Sequence, residues 1–378
     1  MDTKDQIAAP ETGSDSPYRG ADLVFIISQP KAGSTLLQRL LAGHPEIQTS
    51  AETWLMLHPL YGLRLTGIKA DFNANWAATG VREFLDNYAD GKETYHDGLR
   101  SFARTIYGHV LEKNGKKLFL DKTPRYTMIV DELYELFPEA KFIILLRNPL
   151  AVLNSELQTY VKGDWPILSR FEPDLVAAPA RINAAKRFLG TSAFEVRYED
   201  LVSNPAVSIK NLCDFLNLDF DAGMLDYSNT PAPAGKMNDP VGIHRHTSAS
   251  TSSMDKWKSL GEDGQLRAFA LSYLEELGDE VISEFGYDAA ELRSAIEKTP
   301  VESSPLCVYP WSLAIKPEHK WSFRQQITSA YLLATQARGR LSGMLAAGKV
   351  LLSRLSGGVL RLSGSPADRK HRTVDTVK

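Results

Sequence analysis

The chain has 378 residues, 43% of them hydrophobic and 24% charged, with a formal net charge of −3. Those values exclude a nucleic-acid binder that works by bulk charge and a chain too polar to bury a core, and the length suits one large domain or two ordinary ones. Two cysteines, Cys213 and Cys307, are too few for a disulfide framework and fit a reduced, cytoplasmic compartment. The longest apolar runs, such as Phe142 to Leu146 (FIILL), are of strand length and fall well short of a membrane span. Residues 1–20 are polar and acidic, have no apolar signal core, and read as a disordered leader. From Lys316 onward twelve Lys and Arg stand against three Asp and Glu, a net of +9, so the residues before it carry −12.

In chain order, apolar runs alternate with helical patterns as they do around a parallel sheet. Leu23 to Ser28 (LVFIIS) predicts a buried strand. After a short loop, Leu36, Leu37, Leu40 and Leu41 recur at helical spacing up to Gly43, placed as a C-cap before His44-Pro45. Lys117 to Leu120 predicts a short strand ending in DKTPRY, followed by a helix over Met128 to Phe137. Lys141 to Leu146 (KFIILL) is the clearest buried strand, and Asn148-Pro149 supplies the N-cap and first-turn proline of the next helix. Phe194 to Arg197 is another strand end, leading through YEDLVSNP into a helix over Ala206 to Leu216.

Tyr227 to Ser253 is rich in Ser, Thr, Pro, Asn and Gly and predicts a long loop, a length that marks function or disorder. Helices resume at Met254 and run to about Gly286, with Trp257 expected as a core anchor. The expected fold class is α/β, a central parallel sheet flanked by helices, with a helical C-terminal extension. The expected ranges are the leader 1–20, one domain over 21–295, and a basic extension over 296–378. In that extension Leu341, Met344, Leu345, Leu351, Leu352, Leu355, Val359 and Leu362 share one helical face, with Arg and Lys off it.

The loop after the first strand reads Pro30-Lys31-Ala32-Gly33-Ser34-Thr35. A triphosphatase loop places its lysine after the last glycine, whereas Lys31 comes two residues before Gly33. Strand, tight loop and helix still make an anion site, because the first helical N–H groups lack intrahelical partners and the helix dipole adds positive charge there. Ser34 and Thr35 can add hydroxyl donors and Lys31 an ammonium. The alternative is a plain turn with an exposed lysine. Arg147 leaves a buried strand at its carboxyl end, where open α/β sheets bind ligands, and a guanidinium can hold phosphate bidentately. Its alternative is a surface ion pair.

PKAGST resembles the 5′-phosphosulfate loop of the sulfotransferases that use 3′-phosphoadenosine 5′-phosphosulfate (PAPS). Arg147 in LLRNPLAVLNS, followed eight residues later by Ser155, resembles their 3′-phosphate element. YEDL at Tyr198 to Leu201, Lys256-Trp257 and FGY at Phe285 to Tyr287 follow in the family's order, so the resemblance covers about Leu23 to Tyr287. It implies a P-loop NTPase-like fold, PAPS as sulfuryl donor, 3′,5′-ADP as product and no metal. The implied cofactor contacts are Lys31, Ala32, Gly33, Ser34 and Thr35 for the 5′ side and Arg147 and Ser155 for the 3′-phosphate. Tyr198 would line the nucleotide site, Lys256 would close over it, and Val241 to Ser252 would form a lid over the adenosine. Ala32 and Ser34 depart from the family's usual Ser and Thr.

GHPEIQTSAETW is similar to the tyrosylprotein sulfotransferase branch, and an ungapped match puts Glu52 on that branch's catalytic glutamate, although Ser50-Ala51 replace its Gly-Glu. Lys122 in LDKTPRY stands where the branch carries a lysine that stabilises the transition state, with Arg125 as a possible helper. The alternatives are a helix-start charge for Glu52 and a solvated lysine for Lys122. His58 is the competing base and His109 a remoter one; His244 and His246 are a weak metal-ligand pair. The implied catalytic set is Lys31, Glu52 and Lys122.

The acceptor is a hydroxyl of a carbohydrate, lipid, small molecule or peptide tyrosine; Trp54 to Tyr107 and Tyr160 to Phe188 hold side chains that could line its pocket. The basic amphipathic extension is expected either to rest on an anionic membrane surface or to pack against protein. Two other functions compete. A nucleotide kinase or NTPase of the same fold is opposed by the missing lysine after Gly33. A non-catalytic scaffold is opposed by intact Lys31, Arg147 and Ser155.

Overall fold

The computed structural model of the chain describes residues 17–65, 67–162, 165–228, 233, 249–301, 327, 331, 341, 343–349 and 351–352. The expected leader up to residue 16, most of the expected lid with His244 and His246, Cys307, and most of the basic extension lie outside the described residues.

In chain order the elements are β1 (Leu23–Ser28), α1 (Ser34–Ala42), β2 (Ile47–Thr49), α2 (Leu57–Tyr61), α3 (Ala74–Tyr88), α4 (Lys92–Asn114) and β3 (Leu118–Lys122). They continue with α5 (Val130–Leu136), β4 (Lys141–Leu146), α6 (Pro149–Glu156), α7 (Ala178–Leu189), β5 (Ala193–Arg197), α8 (Tyr198–Ser203) and α9 (Pro205–Leu216). The last are α10 (Gly264–Leu277), α11 (Asp279–Glu284) and α12 (Ala289–Lys298). Two compact units result: one holds the described residues up to Arg147 together with Ala178–Ser253, the other Asn148–Ala177 and the described residues from Met254 onward.

The first unit is built on one sheet in the order β2-β3-β1-β4-β5, with every pairing parallel. Helices on a parallel sheet cover both faces, so its central strands are apolar without alternation. LVFIIS and FIILL have that character, and Val24, Phe25, Ile26 and Ile27 are fully buried. Phe25 packs on Phe142 of the neighbouring strand, ring centroids 5.5 Å apart. The fold is the α/β class expected, a central parallel sheet flanked by helices with helical structure toward the C-terminus.

Differences from the sequence reading follow from short-range ambiguity. β3 runs on through Asp121 and Lys122 because β1 continues beside it, so polar residues at its end still pair, opposite Phe25 and Ile26. TPRY is then a tight 3-10 turn over Pro124–Met128, and the helix begins only at Val130. The three-residue β2 has too little pattern to stand out, and it exists because β3 is there to pair with it.

In the second unit Phe269, Tyr273, Leu292 and Ile296 form a buried core. Tyr273 donates its hydroxyl to the Leu175 carbonyl at 2.9 Å. Asp263 caps α10 by accepting from the Gln265 and Leu266 N–H groups. Trp257 is buried as an anchor in its 3-10 turn, and α12 adds a helix beyond the expected end at Gly286.

Candidate active site

Each strand of the sheet ends next to a residue singled out in the sequence. β1 leads into the Lys31–Thr35 loop, β2 into Glu52, β3 ends on Lys122, β4 is followed by Arg147, and β5 by Tyr198. The registers Ile26↔Lys122, Ser28↔Leu145 and Leu146↔Arg197 bring these ends to one edge of the sheet. After β1 the chain builds β2 and β3 on one side, then returns to place β4 on the other. The β1–β4 boundary is therefore the topological switch point, where open parallel sheets bind ligands.

The Lys31–Thr35 loop sits at that boundary. Ala32 donates its N–H to the Gln29 carbonyl at 3.3 Å, closing a turn that throws Lys31 into the left-handed region at φ 63. Gly33 follows at φ 99, and Ser34 opens α1. Arg147, only 8% exposed, donates from Nη1 to the Lys31 carbonyl at 2.7 Å and from Nη2 to the Ser253 carbonyl at 3.3 Å. Its guanidinium carbon lies 4.1 Å from the centroid of the Tyr198 ring, a cation–π contact. The same ring closes over Gly33: a Cβ there would stand 2.4 Å from Tyr198 Cδ2. Lys31, Gly33, Arg147 and Tyr198 thus form one cluster, and Arg147 is buried within it rather than lying on the surface.

Glu52 and Lys122, 70 residues apart, meet one strand away. Lys122 Nζ donates to Glu52 Oε1 at 2.9 Å, with the lysine side chain 1% exposed and the glutamate side chain 19% exposed. Lys122 is therefore not a solvated lysine, and Glu52 precedes a turn rather than starting a helix. Upstream, Gln38 of α1 donates from Nε2 to Thr49 Oγ1 at 2.7 Å and to the Ser50 carbonyl at 2.8 Å. Thr49 in turn donates to the Leu120 carbonyl at 2.7 Å.

Beside this pair lies a group the sequence reading missed. Asp121 is 1% exposed and accepts from Thr53, Tyr107, Thr123 and Tyr126. Burial pushes its carboxyl up, and the four hydroxyl donors push it back down. Burial also raises the Tyr107 and Tyr126 phenols far above their ordinary range. The available signal was an Asp next to Lys at the end of an otherwise apolar strand.

Ser155 and Lys256 belong to the second unit. Ser155 is half-buried on α6, and Lys256 is exposed in its 3-10 turn. The residue before Ser155, Asn154, donates from Nδ2 to the Lys256 carbonyl at 3.1 Å. Arg125 is half-buried in the turn after β3, while His58 on α2 and His109 on α4 are exposed. Among the described residues no three His, Cys, Asp or Glu side chains converge as a metal site. Among the same residues no helix is long and apolar enough to cross a membrane.

A family model described as "Sulfotransferase family" matches residues 23–222. The nodulation protein NoeE of Sinorhizobium fredii (strain NBRC 101917 / NGR234) is 33% identical over 221 residues, covering 52% of this chain and 50% of NoeE. Protein-tyrosine sulfotransferase 1 of Danio rerio is 25% identical over 223 residues, covering 56% of this chain and 58% of the fish protein. The chain thus spans about half the length of these relatives. Among solved structures, the sulfotransferase domain from the curacin biosynthetic pathway has a TM-score of 0.45 at 25% identity, covering 62% of this chain and 90% of that one.

Proposed function

Because this chain belongs to the sulfotransferase family, we propose that it transfers a sulfuryl group from PAPS to the hydroxyl of an acceptor. The observation that carries the reading is the junction of two anion-binding groups at the switch point: the Arg147 guanidinium bonded to the Lys31 carbonyl at 2.7 Å. One loop and one arginine suit a nucleotide with phosphates on both its 5′ and 3′ positions.

The residues fit that donor. Glycine at position 33 leaves the space under the Tyr198 ring that any side chain would fill. The loop amides, Lys31, Ser34 and Thr35 would hold the 5′-phosphosulfate; Arg147 would hold the 3′-phosphate. Tyr198 would line the site. When bound, PAPS supplies an activated sulfuryl group and leaves as 3′,5′-ADP.

Transfer to a hydroxyl needs a base for its proton and positive charge near the transferring oxygens. Glu52 takes the proton from the acceptor oxygen. Lys122 orients that carboxylate and, with Lys31, sets positive charge where negative charge accumulates. The protein-tyrosine sulfotransferase relatives make a peptide tyrosine one acceptor to test in a radiolabelled-sulfate transfer screen, beside carbohydrate, lipid and small phenol.

Calorimetric titration with 3′,5′-ADP, 5′-AMP and ATP tests the donor. The expected order is 3′,5′-ADP well ahead of 5′-AMP. Arg147→Ala should remove that preference, a loss of about tenfold or more, since a hydrogen bond to a charged group is worth roughly 1.5–3 kcal/mol. Preference for ATP with Mg²⁺ would point to a kinase or NTPase instead, and no binding to a non-catalytic scaffold.

A further inference from the structure

We propose that Asp121 is a positioning residue: by gripping Thr53, it holds the neighbouring Glu52 carboxylate on the Lys122 ammonium. The roles of Glu52 and Lys122 rest on the sulfotransfer reading above; the geometry does not.

Asp121 and Lys122 are consecutive on β3, and consecutive strand side chains point to opposite faces. Glu52 and Thr53 are consecutive on the facing segment. The two dipeptides dock as two rungs, Lys122 to Glu52 at 2.9 Å and Thr53 Oγ1 to Asp121 Oδ2 at 2.6 Å. One rung is the candidate catalytic pair. The other, half-buried at Thr53 and buried at Asp121, holds nothing but position.

The segment carrying Glu52 needs such a tether, because it lies beyond the end of β2 and has no strand ladder of its own. Side chains around Asp121 take over its backbone donors. The Leu55 N–H donates to Thr53 Oγ1 at 3.2 Å, and the Met56 N–H to the Tyr126 hydroxyl at 3.2 Å. A weaker contact runs from the Trp54 N–H to Thr123 Oγ1 at 3.4 Å. Thr53, Thr123 and Tyr126 all also donate to Asp121, at 2.6, 3.0 and 3.1 Å. Tyr107 of α4 supplies the fourth donor at 2.7 Å, tying the carboxylate to a 23-residue helix.

Trp54 shows how strongly the segment is held. It sits at φ 54, a left-handed conformation that a bulky residue keeps only where its surroundings over-determine it. Asp121 organises those surroundings. Four donors on one carboxylate leave it no reason to turn, so the Thr53 backbone, and with it the root of the Glu52 side chain, is fixed relative to β3.

The test is the structure of three variants, read at the Glu52–Lys122 distance. Thr53→Val removes the Asp121 bond while keeping the branched shape; Thr53→Ala removes it without crowding, should the valine variant fail to fold. Thr53→Ser restores the hydroxyl. Loss of the ion pair, beyond about 4 Å, is expected in the valine and alanine variants, with retention in the serine variant. A pair left intact without the hydroxyl, or lost equally with serine, would overturn the proposal. Titration of the unaltered chain with 3′,5′-ADP is judged separately: no binding removes the sulfotransfer reading, whereas an intact pair in Thr53→Val removes this one.

Discussion

At Gly33 the absence of a single carbon shapes the candidate site. Its φ of 99 is strained for any other residue, and an added Cβ would run into the Tyr198 ring at 2.4 Å. The ring cannot yield cheaply, because the Arg147 guanidinium lies 4.1 Å from its centroid. Gly33→Ala is therefore expected to lower stability by about 1–3 kcal/mol, measured by urea unfolding. It should also weaken 3′,5′-ADP binding by about tenfold, measured by calorimetry; unchanged values on both would show that the loop has room to adjust. The need for glycine was legible in PKAGST. That Tyr198, 165 positions away, is what it accommodates was not, since no local pattern pairs the ends of β1 and β5 with β4 between them.

At the scale of elements, β3 and the segment after β2 act as a unit through the Asp121 hub. Because burial raises the Asp121 carboxyl above its ordinary range, the folded chain holds that proton to higher pH than the unfolded chain does. The stability it contributes is then present below the unfolded value and is lost as pH rises through the folded one. Asp121→Asn has no such titration. The stability of the natural chain minus that of the variant should thus shrink from pH 4 to pH 7, a window set by the direction of the shift and the ordinary carboxylate range of about 4. Tyr107 and Tyr126, the titratable groups bonded to Asp121, stay neutral throughout because burial pushes both phenols upward. Urea unfolding of both proteins across that window checks the sign, and a constant or growing difference would contradict it. Strand periodicity could place Leu118 to Lys122 in the sheet, but a polar residue ending a strand looks the same whether it meets water or a ring of hydroxyls.

For the whole molecule, charge is the feature most clearly divided along the chain, with a net of +9 from Lys316 onward. In the part of that extension lying within the described residues, Leu341, Met344, Leu345, Leu351 and Leu352 are exposed. A leucine face beside lysines and arginines suits an anionic bilayer surface, where each basic residue adds about 1 kcal/mol. The full chain should float with vesicles rich in phosphatidylserine, and a chain ending at Val301 should not; equal flotation removes the membrane reading. This prediction stands apart from the candidate active site, whose cluster around Arg147 and pair at Lys122 both lie before the extension.

The sequence by itself determined the core strands, the strand–loop–helix around Gly33, the capped helix after Asn148 and the family resemblance. Each of these is written in neighbouring residues, through apolar runs, turn chemistry and short motifs. Only the tertiary structure decided that Lys122 is buried against Glu52, that Arg147 bonds the Lys31 backbone across the β1–β4 boundary, and that Asp121 organises the segment beside them. Those contacts depend on the strand order β2-β3-β1-β4-β5. Strand order is fixed by how helices and strands share one core, and no local stretch of sequence carries it.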